Sequence, residues 1–223
     1  DMAHVPRYLE PSRKLLAPTA GASANAVRID GPKDSASFDL PITQDGELIG
    51  YSKLRLWIQL HDSIDQDIHV VMERLDRFGM QIADRSIPLP NAVIETALRL
   101  LHRTGLKPEL GLVFPQAFKG SLRLSHRELD AAQSRPERPV LSHRQEIPVK
   151  LGDIIPVDLA IDPVALKLNR GETLRIRIAG RNLAPIPLEG LKHDEPKGSA
   201  NFSIWCGGKY DSHFLAPWRP AAK

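Results

Sequence analysis

The chain has 223 residues, enough for one large all-β domain or two small ones, and its 42% apolar and 26% charged residues describe an ordinary globular protein. Its net charge of +3 is small for this length and excludes the concentrated basic surface of a nucleic-acid binder. The single cysteine, Cys206, excludes an intrachain disulfide framework and a cysteine zinc cluster, and no apolar run approaches the ~18 residues of a membrane-spanning helix. Nineteen prolines beside 5% aromatics point to many short elements joined by turns. No signal peptide precedes Asn201-Phe202-Ser203, so this glycosylation sequon reads as a chance match, and a cytoplasmic location is favoured. Asp1 is not an initiator methionine, which fits a chain cut from something longer.

Residues 1–37 carry Pro6, Pro11, Pro18 and Pro32 and read as an extended arm outside the packed core, with short strands at Arg13–Leu16 and Ala26–Ile29. A sandwich domain is expected over 38–220, followed by a tail at 221–223. Order begins where Phe38, Leu40 and Ile42 alternate with Asp39 and Pro41. The clearest strand is Lys53–Leu60, with Leu54, Leu56, Ile58 and Leu60 on one face and Lys53, Arg55, Trp57 and Gln59 on the other. Asp67–Leu75 is a second strand, closed by the turn Asp76-Arg77-Phe78-Gly79. Asn91–Arg103 breaks the β pattern: Val93, Ala97, Leu100 and Leu101 form a helical stripe, with Asn91 as N-cap and Gly105 past the end. Strands return at Ile154–Ile161 and Thr173–Ala179, the latter after the turn Asn169-Arg170-Gly171, and close with Phe202–Cys206 and His213–Leu215. Many short strands and one accessory helix indicate an all-β sandwich or jelly roll, and the helices a parallel βαβ sheet needs are missing.

The residue types that carry chemistry do not assemble into a site. No G-x-S-x-G nucleophile elbow occurs. Asp211-Ser212-His213 holds the three residue types of a serine-hydrolase triad, but consecutive side chains on an extended strand point to opposite faces. Ser125-His126 fails for the same reason. Asp65, Asp67 and His69 share a face if extended and are weak candidates for a metal, calcium accepting such carboxylates, yet no EF-hand glycine or closing glutamate accompanies them. A solvated loop entering a strand explains them better, and no cofactor is expected. The arginines of 123–127 and 135–138 are interleaved with acids and read as ion pairs. Gly207-Gly208 reads as a turn between strands. Trp57, Trp205, Tyr210 and Trp218 are aromatics of the kind a carbohydrate-binding sandwich exposes.

Several blocks in order carry a resemblance. They are Glu47 to Trp57 with Gly50 and Trp57; Asp65-Gln66-Asp67-Ile68-His69-Val70; and Gly120-Ser121-Leu122-Arg123-Leu124-Ser125-His126-Arg127-Glu128-Leu129-Asp130. Arg138-Pro139, Gly171-Glu172-Thr173-Leu174-Arg175-Ile176 and the closing Gly207-Gly208-Lys209-Tyr210-Asp211-Ser212-His213 complete the set. Together they resemble the C-terminal domain of the hydrolase family that includes cocaine esterase, X-Pro dipeptidyl-peptidase and α-amino-acid ester hydrolases (the CocE/NonD family). The resemblance implies a jelly-roll sandwich of galactose-binding-domain type, docked on an α/β-hydrolase domain of the same parent protein and helping to wall its substrate cleft. That absent domain carries the serine, aspartate and histidine in this family, so no catalytic residue transfers to this chain. The signature residues Gly50, Trp57, Arg123, Ser125, His126, Arg127, Asp130, Gly207, Gly208 and Ser212 then read as structural. An apolar face left bare by the missing domain is expected, and with it a tendency to self-associate. The alternative is a stand-alone module that binds carbohydrate or a protein partner.

Overall fold

The computed structural model describes residues 3–82, 96, 100, 118–183 and 197–221. Eleven strands occur among them: β1 (Ala3–Glu10), β2 (Leu15–Ala17), β3 (Asn25–Asp30), β4 (Ala36–Pro41), β5 (Gly46–Leu60), β6 (Asp67–Leu75), β7 (Phe118–Arg123), β8 (Ile154–Leu168), β9 (Thr173–Ala179), β10 (Asn201–Cys206) and β11 (His213–Pro220), with a short 3-10 turn at Leu124–His126. The expected helix 91–103 lies outside the described residues except for Thr96 and Leu100, which are helical and exposed.

The main pairs are nested and antiparallel: β1 joins β11, β3 joins β10, β4 joins β9, β5 joins β8 and β6 joins β7, while β2 meets β4 in a short parallel bridge. The hydrogen-bonded order β3-β10-β5-β11-β1-β2-β4-β9-β6-β7 is continuous, with β8 on the remaining edge of β5. The path rolls back on itself, so β5, β8, β10 and β11 face β4, β9, β6 and β7 across one core. Leu54, Leu56, Ile58 and Leu60 of β5 share that core with Leu174, Ile176 and Ile178 of β9, and with Phe38, Ile68, Phe202 and Phe214. The fold is an all-β sandwich wound as a jelly roll.

Two features position the rest. β10 and β11 lie end to end on one edge of β5, β10 pairing Trp57 to Leu60 and β11 pairing Arg55 and residues nearer the start of β5. On the other edge β8 runs through Asp162-Pro163, because Gly50 pairs Val164 while Ser52 pairs Ile161, leaving a bulge opposite Tyr51 where proline's missing donor is tolerated. The layers meet again at β7, where a Cβ on Gly120 would sit 2.1 Å from the Ala160 carbonyl oxygen.

The structure corrects the expectation of an unpacked arm. Ala3 to Tyr8 pair with Trp218 to His213, and Leu9, Leu16 and Ile29 are 2%, 4% and 0% exposed. The short strands expected there are present, shifted slightly, at β2 and β3.

Candidate functional site

The D-x-D motif enters β6 directly opposite the Leu-Arg-x-Ser stretch that leaves β7, with Asp67 and Arg123 in register. Residues two apart share a face on extended chain, so two matched pairs form. Arg123 donates to both Asp67 oxygens at 2.8 and 3.1 Å. Ser125 donates to Asp65 through its backbone N–H and its hydroxyl, both at 2.9 Å. Burial raises the Asp67 carboxyl, but the Arg123 hydrogen bonds and charge and the Lys197 N–H hold it below its ordinary value. Between the aspartates, fully buried Gln66 donates to the carbonyls of Asp67 and Gly180 and accepts the N–H of Ala200 at 2.8 Å. Sequence reasoning passed over Gln66. Its signal was an uncharged amide between two acids at the mouth of a strand.

The segment after Ser125 is fastened the same way. Arg127 donates to the carbonyls of Leu124 and Ile147, and burial pulls its guanidinium below the ordinary value. Glu128 accepts from Ser142 at 2.6 Å and from Gln145, which hold its carboxyl low. Asp130 accepts the N–H groups of Ala132 and Gln133 and pairs with Arg144 at 3.3 Å. His126 Nε2 lies 3.5 Å from Glu146, while its Nδ1 is buried without a partner.

The Asp-Ser-His run belongs to the seam where β10 and β11 meet on β5. Ser212, 1% exposed, donates to the Trp205 carbonyl at 2.6 Å and accepts the N–H of Trp57 at 3.0 Å. Asp211 accepts from the Trp57 indole at 2.7 Å and from Arg55 at 3.1 Å. Burial raises its carboxyl, and those two donors bring it below the ordinary value. His213 Nδ1 donates to the Asp211 carbonyl at 2.6 Å, and the ring packs 5.6 Å from Tyr8. Ser212 is thus engaged with two backbone groups rather than with an imidazole.

Around this seam, the outer face of β5 carries a linked polar row. Arg55 and Lys53 both reach Asp158 of β8, and Gln59 accepts the Trp205 indole N–H at 2.9 Å. Trp57 and Trp205 are cross-strand partners, and Tyr210 packs against both, tilted by 68° and 48°, with centroids 5.4 and 5.3 Å away. Trp218 lies elsewhere, over Gly46. The Gly207-Gly208 turn has φ of +76° and +56°, and a Cβ on Gly207 would lie 2.3 Å from the Ser23 carbonyl oxygen, so glycine is required. Gly50, at φ +122°, lies on β5 beside the β8 bulge, where the register with β11 also shifts.

Of the metal candidates, Asp65 and Asp67 are engaged by Ser125 and Arg123. His69 is pushed below its ordinary value by burial, against the pull of Asp67. Among the described residues, no three His, Cys, Asp or Glu gather as a metal site. Asn201 of the sequon lies in β10 opposite Asp30 and donates its amide to Asp62.

Residues 9–214 match the family of X-Pro dipeptidyl-peptidase C-terminal non-catalytic domains. The chain belongs to that family. A CocE/NonD family hydrolase from Staphylococcus aureus superposes with a TM-score of 0.82 at 26% identity, over 98% of this chain and 37% of the other. An aminopeptidase from a marine-sediment Thaumarchaeota archaeon (TM-score 0.58, 9% identity, 96% of this chain and 36% of the other) shares the fold. So does an α-amino acid ester hydrolase (0.53, 12%, 97% and 36%). The chain therefore spans little more than a third of the length of these proteins. No curated protein sequence matches it.

Proposed function

We propose that this chain is the accessory domain of a serine hydrolase that cleaves esters or X-Pro peptide amides, packed on an α/β-hydrolase domain whose substrate cleft it helps to wall. The observation that carries the reading is the match of residues 9–214 to a non-catalytic domain, within a relative of which this chain spans only 37%. The geometry agrees. Ser125, Ser142 and Ser212, the three serines next to histidines, are engaged by Asp65, by Glu128 and by backbone groups respectively. A nucleophile needs a base that takes its proton and an acid that orients the base; none of the three serines has that pair.

The docking side has candidates in exposed apolar side chains: Ile64 and Leu151 near the far end of β5, and Ile49 and Tyr51 on its outer face. Left uncovered, they would promote self-association of the isolated chain, readable as a concentration-dependent mass in analytical ultracentrifugation. A carbohydrate platform is less well supported, because Tyr210 packs on both Trp57 and Trp205 at steep angles and both indole N–H groups already have partners.

The test is a fluorophosphonate serine-hydrolase probe on folded protein, beside turnover of a short-acyl ester and an X-Pro chromogenic peptide. No labelling and no turnover are expected. Stoichiometric labelling of one serine, lost on heat denaturation, would overturn the reading.

A further inference from the structure

β1 breaks the rule of the sheet it joins. Val5, Arg7 and Leu9 share one face of the strand, and that face looks into the sandwich. Leu9 is 2% exposed, Arg7 stands opposite fully buried Phe214, and Val5 stands opposite Ala216. A cation therefore occupies a core-facing position. It is half-buried, and among the described residues it has neither a hydrogen-bond nor an ion-pair partner. The acids on neighbouring elements are committed elsewhere: Glu10 to Ser12, Asp39 to Arg175, Asp45 to the N–H of Arg170 and Glu47 to Arg219. A guanidinium held at an apolar surface without a counter-charge is costly unless something supplies one.

Arg7 lines a pocket of about 90 Å³ at the open end of the sandwich. Its floor is apolar, from Leu48, Leu168, Leu174 and Ala216. Thr43, Gln44 and Trp218 complete the lining, and no acidic residue is part of it. The chemistry is one-sided: a mostly apolar lining with one cation, Arg7, and no acidic residue. We propose that this pocket binds a small monocarboxylic acid, the carboxylate on Arg7 and a short aliphatic tail in the well. A water occupies about 30 Å³ of liquid, so the space suits a tail of about two to four carbons. The proposal does not depend on the parent protein's activity.

The rival explanation is that Arg7 is an inward charge guarding a strand edge against association, since β2 covers β1 only from Tyr8 to Glu10. Butyrate titrated into the 223-residue chain, followed by ¹H–¹⁵N correlation spectra, separates the two. The Trp218 indole signal is assigned with Trp218→Phe. Saturable shifts at the Trp218 indole and the Arg7 side chain are expected, with a Kd on the order of 1 mM for a ligand this small. Butan-1-ol, butylammonium and inorganic phosphate should each bind at least about tenfold more weakly, lacking either the charge or the tail. Arg7→Met should weaken butyrate about tenfold or more without lowering the melting temperature, and Arg7→Lys should fall between. Equal response to butanol or to phosphate, no saturation, or unchanged binding by Arg7→Met would overturn the proposal. Should Arg7→Met fail to fold, the comparison of ligands on the native chain decides alone. Self-association of Arg7→Met without a butyrate site on the native chain would establish edge guarding instead.

Discussion

Two buried serines make opposite predictions. Ser212 and Ser52 are each 1% exposed, yet Ser212 bonds the N–H of Trp57 and the carbonyl of Trp205, whereas the Ser52 hydroxyl has no partner. The Ser212 hydroxyl sits where β5 passes from pairing with β11 to pairing with β10, so it completes the ladder at the seam. Ser212→Ala removes one donor and one acceptor from backbone groups in a dry site. At about 1–3 kcal/mol for a buried unsatisfied group, partly relieved by relaxation, the loss should be about 3 kcal/mol. For a domain of this size that lowers the melting temperature by roughly 6–12 °C. Ser52→Ala removes a hydroxyl that was desolvated without compensation, and should be neutral or stabilising by up to about 1 kcal/mol. Urea unfolding of both variants, with unchanged m-value, measures the difference directly. A Ser212→Ala protein within about 0.5 kcal/mol of wild type would refute the reasoning. So would equal loss in both variants, which would mean that volume and not bonding sets the effect.

Acid stability should depend on the ion pairs that fasten β6. Asp67 is held low despite burial by Arg123, and Glu172 likewise by Arg74, so their contribution is complete above about pH 4.5 and is lost as pH falls through their depressed folded-state values. Asp67→Asn with Glu172→Gln should lower stability at pH 7 and flatten its decline between about pH 5 and pH 2; an unchanged acid limb in denaturation curves would contradict this. Cys206 is 1% exposed and burial pushes its thiol up to about 12, so it should resist a disulfide reagent at pH 8 until the chain unfolds; rapid native labelling would count against the packing of β10. Gly120→Ala would drive a Cβ against the Ala160 carbonyl and Leu159, and should destabilise by about 2–4 kcal/mol in thermal unfolding; wild-type stability would show that β7 and β8 are not pressed together.

The strands visible in the sequence are those buried on one face only. Lys53–Leu60 and Thr173–Ala179 alternate because water lies on one side, and every inward residue of both, from Leu54 to Leu60 and from Leu174 to Ile178, is 0% exposed. β1 was hidden because Arg7 interrupts its inward face and Pro6 argues against a ladder. β7 was hidden because Leu122 is its one fully buried apolar side chain, and Gly120 offers no side chain to pattern. The expected strand stops at Ile161, before Asp162-Pro163, whereas β8 carries both residues in a bulge opposite Tyr51 and continues to Leu168. The signature blocks were legible as a resemblance, but their partners were not. That Asp65 meets Ser125 and Asp67 meets Arg123 follows from register across more than fifty residues of chain, which local periodicity does not contain.

The nesting of strand pairs bears on how the molecule is made. Among the described strands most ladders join an early segment to a late one, and the outermost pair places Ala3 beside Trp218. At about 5–20 residues per second, a ribosome releases β1 roughly ten seconds or more before its partner β11 is complete. Local hairpins are few among the described strands, so loop closure delays the sheet until β11 has been made. During that interval the β5 and β9 stripes are exposed beside unpaired edges, a state that calls for a chaperone or a quickly arriving neighbour. A nascent chain stalled before His213 would be the species most prone to aggregate.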